Sequence, residues 1–144
     1  MARIFMDRRD LGEDARRLLD DLEVDRRGGA AGECMPPIDV IETPTTIEIL
    51  VDVPGVQADS VQVVFSRGTV IIAGRKLPPT CPHHDAAFHL AERAFGRFAR
   101  AVRLAGAIDA GRARASLSGG ELRIVLPRIA ERRGHDIRID VQAR

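Results

Sequence analysis

The chain reads as an all-β protein, an antiparallel sandwich carried between two arms. Three observations predict it. Apolar and polar residues alternate with a period of two from Pro37 to Pro127, and turn dipeptides punctuate these runs at short intervals. No helical pattern is long enough for a βαβ crossover. There are no internal repeats. At 144 residues, one compact domain plus arms is the natural division. The expected boundaries are an N-terminal arm over 1–36, the sandwich over 37–127 and a C-terminal extension over 128–144.

The arm opens with a single helical stripe, Leu11, Ala15, Leu18, Leu19 and Leu22, spaced i, i+4, i+7, i+8 and i+11. Asp10 is a candidate N-cap with Glu13 three residues on, and Gly28-Gly29 ends the pattern. A helix this short is marginal in water unless its leucines dock on something. "RRGGAAGECMPP" follows as a linker.

The strands come next. "TIEILVDVPG" places Ile47, Ile49, Val51 and Val53 on one face, Glu48 and Asp52 on the other, and turns at Pro54-Gly55. "VQVVFSRG" groups Val61, Val63 and Phe65, and Arg67-Gly68 supplies a tight turn into "TVIIAGR", so these two pair as a hairpin. The prolines of "KLPPTCPHHDAA" forbid a central strand. "FHLAER", "GRFARAVRL", "RARASL" and "ELRIVLP" complete seven or eight strands. Gly119-Gly120 closes the last hairpin, with Ala113, Ala115 and Leu117 facing Leu122, Ile124 and Leu126. Beyond it, "IRIDV" alternates again, as a strand at a chain terminus that buries nothing alone.

Composition narrows the function classes. With five Phe and no Trp or Tyr, aliphatic residues must fill the core. The net charge of +1, mixed along the chain, lacks the clustered basic face of a nucleic-acid binder. No apolar run suits a membrane span or a signal peptide, which predicts a cytoplasmic protein. Cys34 and Cys81 have no metal or redox spacing and read as free thiols. In "CPHHD", Cys81, His83, His84 and Asp85 are competent ligand or nucleophile types. Adjacent histidines seldom share one metal, and a Cys/His dyad needs a rigid scaffold. No phosphate loop or Ser/His/Asp arrangement is present, so neither metal, cofactor nor enzymatic activity is expected.

Four stretches, in this order and spacing, resemble the α-crystallin domain of small heat-shock proteins (the Hsp20 family), of bacterial type. They are "VDVPGVQADSVQV", "HLAERAFGRFARAVRL", "ARASLSGGELRIVLP" and the terminal "IRI", and the resemblance covers most of positions 37 to 141. The chain departs from the family pattern at Ala105, Gly119 and Glu121, and its arm is short and charged, with Phe5 its only aromatic. The resemblance implies an immunoglobulin-like sandwich and an ATP-independent holdase. Such a protein binds partly unfolded clients, suppresses their aggregation and assembles from dimers into dynamic homo-oligomers. It also implies later transfer of clients to ATP-driven chaperones. The rival is a p23-like co-chaperone, a similar sandwich docking one folded partner.

Site expectations follow. An extended segment can add to another subunit's sheet, and Ile137 and Ile139 point the same way, so both can enter one groove. Val141 offers a shifted register, and the alternative is an ordinary edge strand of its own domain. The resemblance puts the groove between "VQVVF" and "RARASL", lined by Val61, Val63, Ala115 and Leu117. Arg100 alternates with Phe98 and Val102, so its charge must be paired or bonded to carbonyls, or snorkel to solvent at an edge. The resemblance makes Arg100 a dimer or strand-edge contact. It also implies that the segment Leu77 to Leu90 carries a swapped strand, "AAFHLAER", anchored by Phe88 and Leu90. Its acceptor would be "IDVIE" of a partner, with Ile38 and Val40; the alternative is a plain solvated loop. Leu11, Leu18, Leu19 and Leu22 are the candidate client-binding arm.

Overall fold

The structure, a computed structural model, describes residues 34–130. Seven strands run along it: β1 (Ile38–Glu42), β2 (Thr46–Asp52), β3 (Val61–Ser66), β4 (Thr69–Lys76), β5 (Gly96–Arg103), β6 (Arg114–Ser118) and β7 (Glu121–Pro127). They form two antiparallel sheets, ordered β1-β2-β7-β6 and β3-β4-β5. The predicted leucine stripe of the arm and the predicted terminal strand Ile137–Val141 lie outside the described residues. Among those residues, no helix is long and apolar enough to cross a membrane.

The period-two pattern decides what fills the sandwich. Ile47, Ile49 and Val51 of β2 and Leu122, Ile124 and Leu126 of β7 are almost fully buried, and they meet Val70 and Ile72 of β4 and Phe98 and Val102 of β5. Each of these is every second residue of its strand, so each sheet turns one apolar face to the other. Register follows from the same rule: Ile47 lies opposite Leu126, Ile49 opposite Ile124 and Val51 opposite Leu122. A one-residue slip would move the whole set to solvent.

The turns are where their chemistry requires. Arg67 and Gly68 both take positive φ (49° and 77°), the geometry of a two-residue hairpin loop between β3 and β4. Gly119 and Gly120 do the same between β6 and β7. "FHLAER" departs from expectation, because residues 88–93 carry no strand and residues 77–94 are exposed throughout. A strand needs a ladder partner, and among the described residues this segment pairs with none.

Candidate functional site

Two features of the sandwich are candidate sites: the gap between its sheets along β3 and β6, and the corner where the chain enters β1. The strands β3 and β6 are edges of opposite sheets on the same side of the molecule. Between them lies an open cleft of about 220 Å³ lined by Ala58, Val61, Val63, Ala115, Ser116, Leu117 and Leu122. The lining is mostly apolar, and the volume falls below the roughly 300–1,000 Å³ of small-molecule sites. Such a cleft suits one or two side chains of an extended segment. The four residues that the family resemblance pointed to, Val61, Val63, Ala115 and Leu117, thus share one cleft. Alternation places Val61 and Val63 on the inward face of β3. Ala115 and Leu117 face the same gap because they pair with the core residues Ile124 and Leu122.

At the opposite edge, β1 pairs only with β2 among the described strands, so its outer backbone edge is open. Ile38 and Val40 are half-buried and pack against the core of their own chain. A strand added here would therefore meet the β1 backbone first, rather than these two side chains. Phe88 and Leu90 are 87% and 75% exposed, left uncovered among the described residues.

Arg100 sits on the inward face of β5 between buried Phe98 and Val102. Its Nη1 donates to the carbonyl of Pro36 at 2.8 Å. This meets the demand that a guanidinium on an apolar face be bonded. The contact belongs to a clasp that sequence patterns did not reveal. The Cys34 amide donates to the Arg97 carbonyl (2.9 Å), and the Asp52 amide donates to the Pro37 carbonyl (3.1 Å). Residues 34–37 thereby cross from β5 of one sheet to β2 of the other. The Cys34 thiol lies 3.6 Å from the Gly96 carbonyl, and burial pushes its pKa up, with Lys76 opposing the shift. Along this clasp runs a second cleft of about 310 Å³, bounded by Cys34, Pro36, Val53, Val56, Lys76 and Phe98. Beside it, Lys76 Nζ and Arg93 Cζ stand 5.5 and 4.9 Å from the Phe95 ring centroid, holding the end of the long loop at the start of β5.

A further contact the sequence did not signal secures the root of the C-terminal extension. Arg128 bonds the Thr43 carbonyl (3.2 Å) and pairs with Glu42 (2.6 Å), while its amide donates to Thr45 (2.8 Å). The histidine loop is exposed: the Cys81 thiol donates only to the His83 carbonyl, 3.7 Å away. Among the described residues, no group of three or more His, Cys, Asp or Glu could hold a metal ion.

Comparison with known proteins places these features. Residues 39–142 match the model of the Hsp20/alpha crystallin family. Heat shock protein 16 of Schizosaccharomyces pombe is 36% identical over 103 residues, 68% of this chain and 69% of that protein. The 21.9 kDa heat shock protein of Oryza sativa is 31% identical over 88% of this chain and 70% of its own length. Among solved structures, Heat shock protein 16.0 of S. pombe superposes with a TM-score of 0.64 at 31% identity, covering 76% of this chain and 99% of that one. A small heat-shock protein from Xylella fastidiosa gives 0.61 at 27% identity, covering 78% and 100%. The seven-stranded sandwich, its ordered motifs and these matches agree: the chain belongs to the Hsp20/alpha crystallin family, the small heat-shock proteins.

Proposed function

We propose that this protein is an ATP-independent holdase of the cytoplasm, which binds partly unfolded proteins and assembles from dimers into exchangeable homo-oligomers. Membership of the family supports the chaperone reading, and nothing in the comparisons favours the p23-like alternative. Exposed apolar surface is the signal such a protein reads, so selectivity is low and no reaction is needed. Clients then pass to ATP-driven chaperones.

One observation carries the assembly model: an apolar cleft between two edge strands, on a chain whose sequence would put Ile137 and Ile139 on one side of their segment if it is extended. Burying two Ile supplies roughly 3–6 kcal/mol before ordering costs. That is weak for one arm and strong for many, while each contact stays exchangeable. The other half of assembly is a dimer. In it the loop bearing Phe88 and Leu90 adds to the open edge of a partner's β1, near the clasp that Arg100 holds.

Replacing Ile137 and Ile139 by Ala tests the tail. Light scattering should show the mass falling toward that of dimers. An unchanged mass would remove the tail-in-cleft model and leave the chaperone reading standing.

A further inference from the structure

The outer face of the β3-β4-β5 sheet is apolar at its centre. By alternation with the core residues Val70 and Ile72, the residues Ile71 and Ala73 point away from the sandwich interior, and neither belongs to the core cluster. Yet Ile71 is 4% exposed and Ala73 0%. Their cross-strand neighbours on this face are Val64 and Ala101 beside Ile71, and Gln62 and Ala99 beside Ala73. Among the described elements the major contacts of β4 are with β3 and β5, and the long loop after it is exposed. Ala73, Ala99 and Ala101 adjoin on this face as a trough of small side chains. Basic residues end it: Arg75 opposite Arg97 at one end, Arg103 at the other.

We propose that this face docks the chain's own N-terminal arm through Leu11, Leu18, Leu19 and Leu22. Chain geometry puts the arm there. Cys34, where the described chain begins, is bonded through its amide to Arg97 of β5, at the basic end of the trough. The twelve steps from Leu22 to Cys34 reach up to about 40 Å. As a helix, the stripe spans about 18 Å, and the face from Arg97 to Arg103 about 20 Å. Charge fits as well. The segment "LLDDLEVD", Leu18 to Asp25, holds Asp20, Asp21, Glu23 and Asp25 and no base, against Arg75 and Arg97. Docking covers the leucines and the trough together, so release would expose both. That consequence for clients rests on the holdase reading; docking itself does not.

Hydrogen exchange read by mass spectrometry on the full chain tests it without any client. Amides 11–22 should be protected. Ala101→Asp, and separately Arg75→Glu with Arg97→Glu, should speed their exchange about tenfold, the factor carried by about 1.4 kcal/mol. Adding Asp20→Arg and Asp21→Arg to the charge-reversed face should restore protection. Far-ultraviolet spectra identify a variant that loses the sheet; the surface arginine changes remain informative if Ala101→Asp does so. Unprotected arm amides in the parent chain would overturn docking. So would protection indifferent to these changes, or protection lost merely on disassembly by Ile137→Ala with Ile139→Ala.

Discussion

Gly74 shows how tightly one position is specified. A Cβ there would lie 2.5 Å from Phe98 Cζ and 2.9 Å from the Ser60 carbonyl oxygen. Gly74→Ala should therefore destabilise the domain by about 1–3 kcal/mol in denaturant unfolding. Combined with Phe98→Leu, its cost should fall below the sum of the two single costs, since the smaller side chain relieves one of the two contacts. Arg100 is specified differently, by a bond rather than by space. Arg100→Ala removes a charge-assisted bond to Pro36, worth roughly 1.5–3 kcal/mol, and loosens residues 34–37. Burial raises the Cys34 pKa and so keeps the thiolate scarce at neutral pH. Alkylation of Cys34 should accordingly speed up in Arg100→Ala, while exposed Cys81 reacts at its former rate. Equal Cys34 rates would mean that the clasp does not depend on Arg100.

At the level of strands and loops, the informative elements are those left without a partner. Among the described strands, β1 and β6 close one sheet with open outer edges, and β3 borders the cleft between the sheets. Open edges invite added strands, which is hazardous in a monomer and useful in an assembling protein. The loop carrying Phe88 and Leu90 shows the same incompleteness in its side chains. Changing both to Ser should weaken the dimer in sedimentation while leaving the melting of the domain near that of the parent, because neither is buried in its own chain. A lowered melting temperature with unchanged dimerisation would argue that they pack at home. By contrast, the Glu48–Arg123 pair across β2 and β7 is an exposed surface bridge, and its loss should matter little.

For the molecule as a whole, the proposed division of work between sandwich and N-terminal arm can be tested by truncation. Removing Met1 to Ala30 should reduce suppression of client aggregation more than it harms the fold, measured by turbidity and by unfolding of the same samples. Suppression equal to that of the parent would take the leucine stripe out of client binding. The sandwich itself was largely legible from the chain. Alternation named the residues that fill it, from Ile47 to Leu126, and positive-φ turns at Arg67-Gly68 and Gly119-Gly120 set which strands become hairpins. Both are local properties, written within a few residues of each other. "FHLAER" also alternates, but alternation states what a segment could pair with, not whether a partner edge is in reach.

The clasp of residues 34–37 on β5, the Arg128 contact with the β1–β2 turn and the crowding at Gly74 join residues far apart along the chain. No pattern within one segment encodes them, since each depends on how two sheets stack and which backbone atoms that stacking leaves facing. Alternation and turn residues thus sufficed for most strands and their hairpins, while the apolar lining of the cleft between β3 and β6 was pointed to by the family resemblance and not by spacing. Which carbonyl Arg100 would find, and that Ile71 and Ala73 would be covered on the outward side, emerged from packing in three dimensions, because burial belongs to the assembled surface rather than to any stretch of sequence.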